Sequence, residues 1–233
     1  MEGSIMGGFK NQDLNLIFSE GVWENIKKTL LICSKSMRED ALISSHFIEN
    51  HEEIIRNRLL KKYLDNDEFR EQMRIDQLNL RFEPEVPEHF DEKSDTYQGR
   101  TDIRVINKNF FKTNKAYHTI ECKRIDGGYT LNKKYVTEGI ARFVSYPILY
   151  PSHYHKNLMF GFVVKPIDIN ANSTNIDAIQ QSELQDYIIN GLHMIGFEDT
   201  LFYFYSCEYN ITGKEILELQ HLFFDFSPII NPS

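Results

Sequence analysis

The residues Met159-Phe-Gly-Phe-Val-Val164 form a nearly unbroken apolar run, and no other stretch constrains the fold as much. It is far shorter than the roughly 18–20 apolar residues of a membrane span. A strand buried on both faces fits it instead. Such a strand needs helices covering both sides of its sheet. The chain supplies candidates: Val22, Trp23, Ile26 and Leu30 recur at helical spacing behind Ser19, a suitable N-cap. A second helix is predicted from about Glu39 to Leu64, with Leu42, Phe47, Ile48, Ile54, Ile55, Leu59 and Leu60 as its apolar stripe. Two more are predicted over Tyr135–Tyr146 and Ile176–Ile195.

Strands are predicted at 101–106 and 116–122, joined by a turn through 107–115, and again at 201–208 and 221–226. Two prolines three apart in Phe82–Pro87 forbid a helix interior, so that segment reads as an extended edge strand or a bend, followed by a polar loop over 88–100. The expected fold is α/β, a mixed β-sheet core flanked by helices with an N-terminal helical extension. Residues 1–38 form the arm and first helix, and 39–233 the main domain.

The N-terminal MEGSIMGGFK lacks the basic region and apolar core of a signal peptide. Three scattered cysteines are too few for a disulfide framework or a zinc site. A reduced, cytoplasmic protein with no membrane association is expected. The net charge of −8 argues against nucleic acid only until its distribution is considered. Residues 96–165 hold twelve Lys+Arg against four Asp+Glu, whereas residues 166–233 hold one against ten. A local basic block matters more to phosphate binding than the overall sign.

Inside that block, His118-Thr-Ile-Glu-Cys-Lys-Arg-Ile125 ends a β-run with Glu121 and Lys123 two apart, hence on one face. By itself a Glu-x-Lys is uninformative. The preceding strand adds Asp102, which a hairpin brings opposite the end of the next strand, so two carboxylates converge beside one lysine. Alternation turns the Cys122 thiol toward the core but leaves its backbone carbonyl available. Such oxygen ligands suit Mg²⁺, with Mn²⁺ as an alternative.

Asp102 followed after eighteen residues by Glu121-Cys-Lys123 resembles the D…(D/E)-x-K signature of the PD-(D/E)XK nuclease superfamily. Gly99-Arg-Thr-Asp-Ile103 and Ile120-Glu-Cys-Lys-Arg124 resemble its two motif strands, over a region spanning roughly 40–165. Thr101 stands where the nominal proline would be. The resemblance implies a restriction-endonuclease-like fold and a metal-dependent nuclease, with DNA the favoured substrate and phosphodiester hydrolysis by metal-activated water. Asp102, Glu121 and the Cys122 carbonyl would hold the metal, and Lys123 would assist catalysis. Superfamily members often add an acidic residue from the preceding helix; Glu53 is the best match, with Glu49 and Glu85 as alternatives. Arg100, Arg124, Lys133, Lys134 and Arg142 are candidate phosphate contacts, and Glu138 could orient the lysine or a water.

Restriction or phage defence in a prokaryote is the setting the resemblance implies. The acidic C-terminal third fits poorly with a protein that grips DNA alone, so a homodimer or a partner subunit is expected. The alternative is a catalytically silent nuclease-like subunit that binds nucleic acid or protein.

Overall fold

The computed structural model describes residues 12–91, 95–108, 117–150, 152, 154–211 and 215–231. Most of the turn predicted over 107–115 and the start of the N-terminal arm fall outside them. Helix α1 runs Gln12–Ile43, so it continues past the boundary expected at residue 38. Helix α2, Glu52–Leu59, extends through a widened π-helical turn, Leu60–Leu64. Helix α3, Asp67–Gln72, starts where the Asn66 side chain accepts the Phe69 N–H at 3.0 Å.

The single helix expected over 39–64 is therefore two. Nothing in its apolar periodicity marks the break, which is tertiary in origin. Ile48 leaves the helical path to pair with the chain's end: its N–H donates to Ile229 O, and its carbonyl accepts from Asn231 N, both at 2.8 Å.

Strands β1 (Leu80–Asp91) and β2 (Thr96–Asn107) form a long hairpin that takes up most of the loop predicted over 88–100. Pro84 and Pro87 lie on β1, an edge strand, where a missing N–H is tolerated. Strand β3 (His118–Ile125) leads to helix α4 (Tyr129–Lys134), a second π-helical turn (Tyr135–Ile140) and helix α5 (Ala141–Val144). Strand β4 (Lys156–Val163), helix α6 (Ile169–Glu183) and strands β5 (Ile188–Glu198), β6 (Phe202–Asn210) and β7 (Ile216–Asp225) complete the order. The helix expected over 176–195 thus ends at Glu183, and its second half is β5. Gly191 and Gly196 weaken a helix there, and β6 offers that segment a pairing partner.

The described strands make one mixed sheet ordered β1-β2-β3-β4-β7-β6-β5. Pairing is parallel for β3–β4 and β4–β7 and antiparallel elsewhere. β4 occupies the centre, as its apolar run demands. Leu158, Phe160 and Phe162 point to one face and join Trp23, Ile26 and Leu30 of α1 and Ile55 and Leu59 of α2. Met159 and Val163 point to the other and join Tyr135, Ile140, Phe143 and Ile176. Trp23 Nε1 also donates to Gln220 Oε1 at 2.9 Å, fastening α1 to β7. No helix among the described residues is long and apolar enough to cross a membrane.

Candidate active site

β2 and β3 pair only briefly, from Val105–His118 to Ile103–Ile120, while β4 accompanies β3 on to Ile125. Two backbone N–H groups of β3 are met beyond that point by side chains. Asp102 Oδ2 accepts from Cys122 N at 2.7 Å, and Glu52 Oε2 accepts from Arg124 N at 3.2 Å. The two carboxylates stand successively along the β3 edge, satisfying donors that would otherwise be buried unmet.

Between them rises the Glu-x-Lys pair. Lys123 Nζ lies 2.8 Å from Glu121 Oε1, 3.0 Å from Glu52 Oε1 and 3.1 Å from the Cys122 carbonyl. Arg142 Nη1 approaches the same Glu121 oxygen at 3.0 Å and also donates to the Tyr150 hydroxyl. That hydroxyl donates to Arg100 O at 2.7 Å, tying the end of the helical segment to β2. Asp102 Oδ1 is held by Arg56 Nη1, whose other nitrogen, Nη2, reaches Glu85 Oε1 at 2.6 Å. Glu85 sits at φ 50°, a left-handed conformation unusual for a residue within a strand, at a gap in the β1–β2 register. This departure turns Glu85 toward Arg56 and Arg100.

Gly139 lets the π-helical turn come this close. A Cβ there would lie 2.5 Å from Met159 Cε and 3.4 Å from Lys123 Cγ.

Glu121 is fully buried, and its Oε2 has no hydrogen-bond partner among the described residues. Burial, and then the charge of Asp102, push its carboxyl up to about 8, against the pull of Lys123 and Arg142. For Lys123 burial acts downward, but the charges of Glu121, Glu52 and Asp102 outweigh it and raise the ammonium. Arg56 behaves alike, with burial opposed above all by Asp102.

Two adjoining clefts open onto the cluster. One of about 300 Å³ is lined by Glu52, Glu53, Glu85, Arg124, Lys134 and Glu138, among others. The second, about 540 Å³, is lined by Tyr97, Asp102, Arg142 and Leu149. Glu52, Arg56, Arg100 and Lys123 border both.

Asp102, Glu121, Lys123 and Arg142 are therefore brought together, with Arg100 and Lys134 at the mouth. The acidic residue contacting Lys123 from the helix is Glu52, not the expected Glu53, which is exposed at the cleft wall; Glu49 is exposed before α2. Arg124 spends its guanidinium on Asn50, through Nη1 to Oδ1 at 2.9 Å. Lys133 pairs with Glu183 of α6 at 3.1 Å. Sequence reasoning missed Glu52 and Arg56. Their i,i+4 spacing puts both on one face of a helix, but nothing in the sequence says that this face meets the sheet.

Among the described residues no three Asp, Glu, His or Cys side chains are already gathered as a cation site. The oxygens nevertheless suit a hard cation: Glu121 Oε2 is a buried carboxylate oxygen without a partner among the described residues, Asp102 meets the β3 edge at the Cys122 N–H, and the Cys122 carbonyl adjoins the lysine. Comparisons with protein-family models, curated proteins and solved structures find no match.

Proposed function

We propose that this chain is a Mg²⁺-dependent endonuclease of the PD-(D/E)XK type that hydrolyses phosphodiester bonds in DNA. One observation carries the reading: Asp102, Glu121 and Lys123 converge at the β3 edge, where a buried carboxylate oxygen of Glu121 beside the lysine has no partner among the described residues. The order helix, Asp strand, Glu-x-Lys strand, helix within a mixed sheet supports a restriction-endonuclease-like fold.

Mg²⁺, or Mn²⁺ in its place, held by Asp102, Glu121 and the Cys122 carbonyl, would supply a Lewis acid and lower the pKa of water. The chain's own groups do the rest. Lys123, aimed by Glu52 and Glu121, offers a fixed ammonium that orients the attacking water and offsets charge at the phosphate. Arg142 holds Glu121 in place, and Arg100 and Lys134 at the mouth attract the polynucleotide backbone. A second copy or a partner subunit would supply target recognition, because residues 166–233 are strongly acidic. A prokaryotic cytoplasm, in restriction or phage defence, is the setting the superfamily resemblance favours.

The test is cleavage of plasmid and single-stranded DNA with Mg²⁺, Mn²⁺ or EDTA, comparing the parent with Asp102→Ala and Lys123→Ala. The parent should cut only with the cations, and both variants should fail. Cutting by both variants at the parental rate removes the assignment.

One feature favours a second reading, a catalytically silent subunit. Both Asp102 oxygens are engaged, and Arg56, Lys123 and Arg142 counter the carboxylates. DNA binding without Mn²⁺ binding or cleavage would select it.

A further inference from the structure

We propose that Arg56 is an exchangeable counter-ion: it occupies Asp102 in the cation-free protein and passes to the substrate phosphate when a divalent cation takes that carboxylate. The proposal rests on the nuclease reading above. Arg56 lies one turn into α2, four residues after Glu52, and borders both clefts. Its guanidinium bridges Asp102 and Glu85, and its side chain is 7% exposed. Its other hydrogen bonds among the described residues, from Nε and Nη2 to Asn57 Oδ1, are long at 3.4 Å each.

A guanidinium and a divalent cation compete for the same Asp102 oxygen, since like charges repel at that distance. Displacement leaves Arg56 anchored through Glu85, which is part-exposed and itself contacted by Arg100. The planar fork that fits a carboxylate fits a phosphate equally, so the released group has a ligand in the same cleft. One arginine thus neutralises the acidic site before cation and substrate arrive, and clamps the substrate afterwards.

The experiment measures Mn²⁺ binding by calorimetry for the wild type, Arg56→Gln and Arg56→Lys. It also measures binding of a fluorescein-labelled DNA hairpin with Mn²⁺ present, each protein carrying Lys123→Gln to prevent cutting. Arg56→Gln should bind Mn²⁺ about tenfold more tightly, as expected for release of one charged hydrogen bond. It should bind the hairpin about tenfold more weakly, for loss of one charged hydrogen bond to a phosphate. Arg56→Lys keeps a charge at Asp102 but no fork, so its Mn²⁺ affinity should stay near the wild type while hairpin binding falls.

Unchanged or weaker Mn²⁺ binding by Arg56→Gln overturns the proposal and leaves the nuclease reading intact. If Arg56→Gln does not fold, hairpin binding by Arg56→Lys at wild-type strength overturns it. A wild type that binds no Mn²⁺ overturns both.

Discussion

Glu52 spans two groups of the neighbouring strand: one oxygen lies 3.0 Å from Lys123 Nζ, and the other accepts the Arg124 backbone N–H at 3.2 Å. Its neighbour Glu53 faces solvent at the cleft wall. Glu52→Gln keeps the volume but removes the charge that holds the ammonium. On the proposed nuclease reading, cation-dependent cleavage should fall about 10–100-fold, the usual cost of losing a group that orients a catalytic partner. Glu53→Gln should stay within about twofold of the parent, as expected for an exposed side chain away from such contacts. Steady-state rates on one plasmid substrate decide the matter, and equal losses in both variants would refute this ranking.

The difference between Glu52 and Glu53 also marks how far the sequence could be read. Asp102, Glu121 and Lys123 were legible because strand alternation and a hairpin fix the direction of side chains two apart. The helical contribution was not legible, because the break at residues 44–51 arises from pairing of Ile48 with a segment some 180 residues away. A helix running unbroken from Glu39 gives no reason to prefer Glu52, and it makes Arg56 an ordinary cation near a helix end. With α2 starting at Glu52, the face that carries Glu52 and Arg56 meets the sheet, Glu52 at Lys123 of β3 and Arg56 at Asp102 of β2. β5 departs from the predicted helix for a related reason: its apolar residues satisfy helical spacing, and only pairing with β6 selects the strand. The covered central sheet followed directly from the β4 run.

Glu121 should make the cation-free protein lose stability as pH rises. Its carboxyl, fully buried, is pushed from 4.5 up to about 8, so between those values the folded protein keeps a proton that the unfolded chain has released. The contribution is complete below pH 4.5 and is lost as pH rises through about 8, at up to about 1.4 kcal/mol per pH unit in that window. Thermal melts in EDTA should show Tm falling between about pH 6.5 and 8 and levelling off above that, and Glu121→Gln should flatten the fall. Parallel slopes in the two proteins would contradict it.

His221 should act in the opposite direction. The imidazole is buried at the centre of the sheet, shares a hydrogen bond of 3.0 Å with the Tyr135 hydroxyl, and has no partner on Nε2 among the described residues. Burial pushes it down from 6.5 to about 3, so below pH 6.5 the unfolded chain takes up a proton that the folded protein refuses. Stability is fully present above pH 6.5 and falls as pH drops toward 3, by about 1.4 kcal/mol per unit, or nearly 3 kcal/mol by pH 4.5. Urea titrations across that range should show a shallower acid slope for His221→Gln, whatever its stability at neutral pH. An unchanged slope would show that other groups govern the acid limb.

Two glycines beside the candidate site should respond differently to alanine, because what they press against differs. Gly161 of β4 lies in register with Lys123, and a Cβ there would meet Phe223 Cδ1 at 2.3 Å and Ile125 Cδ1 at 2.8 Å. Both neighbours are buried, and Phe223 is hemmed in by Tyr135 and Tyr205, so the ring cannot move without disturbing the core. Gly161→Ala should cost about 1–3 kcal/mol, the range for an overpacked core. At roughly 2–4 °C per kcal/mol for a chain of this size, Tm should drop by about 2–12 °C. At Gly139 the closest atom, at 2.5 Å, is Met159 Cε, the mobile end of a flexible side chain. Helix propensity favours alanine over glycine by up to about 1 kcal/mol, which offsets the adjustment of Met159. Gly139→Ala should therefore melt within about 2 °C of the parent, equivalent to less than 1 kcal/mol. Its Cβ would still press on Lys123 Cγ from 3.4 Å, so cleavage should fall while stability holds. Differential scanning calorimetry beside plasmid cleavage separates the two effects, and a Gly139→Ala protein that loses as much Tm as Gly161→Ala would show the π-helical turn to be as rigidly packed as the sheet.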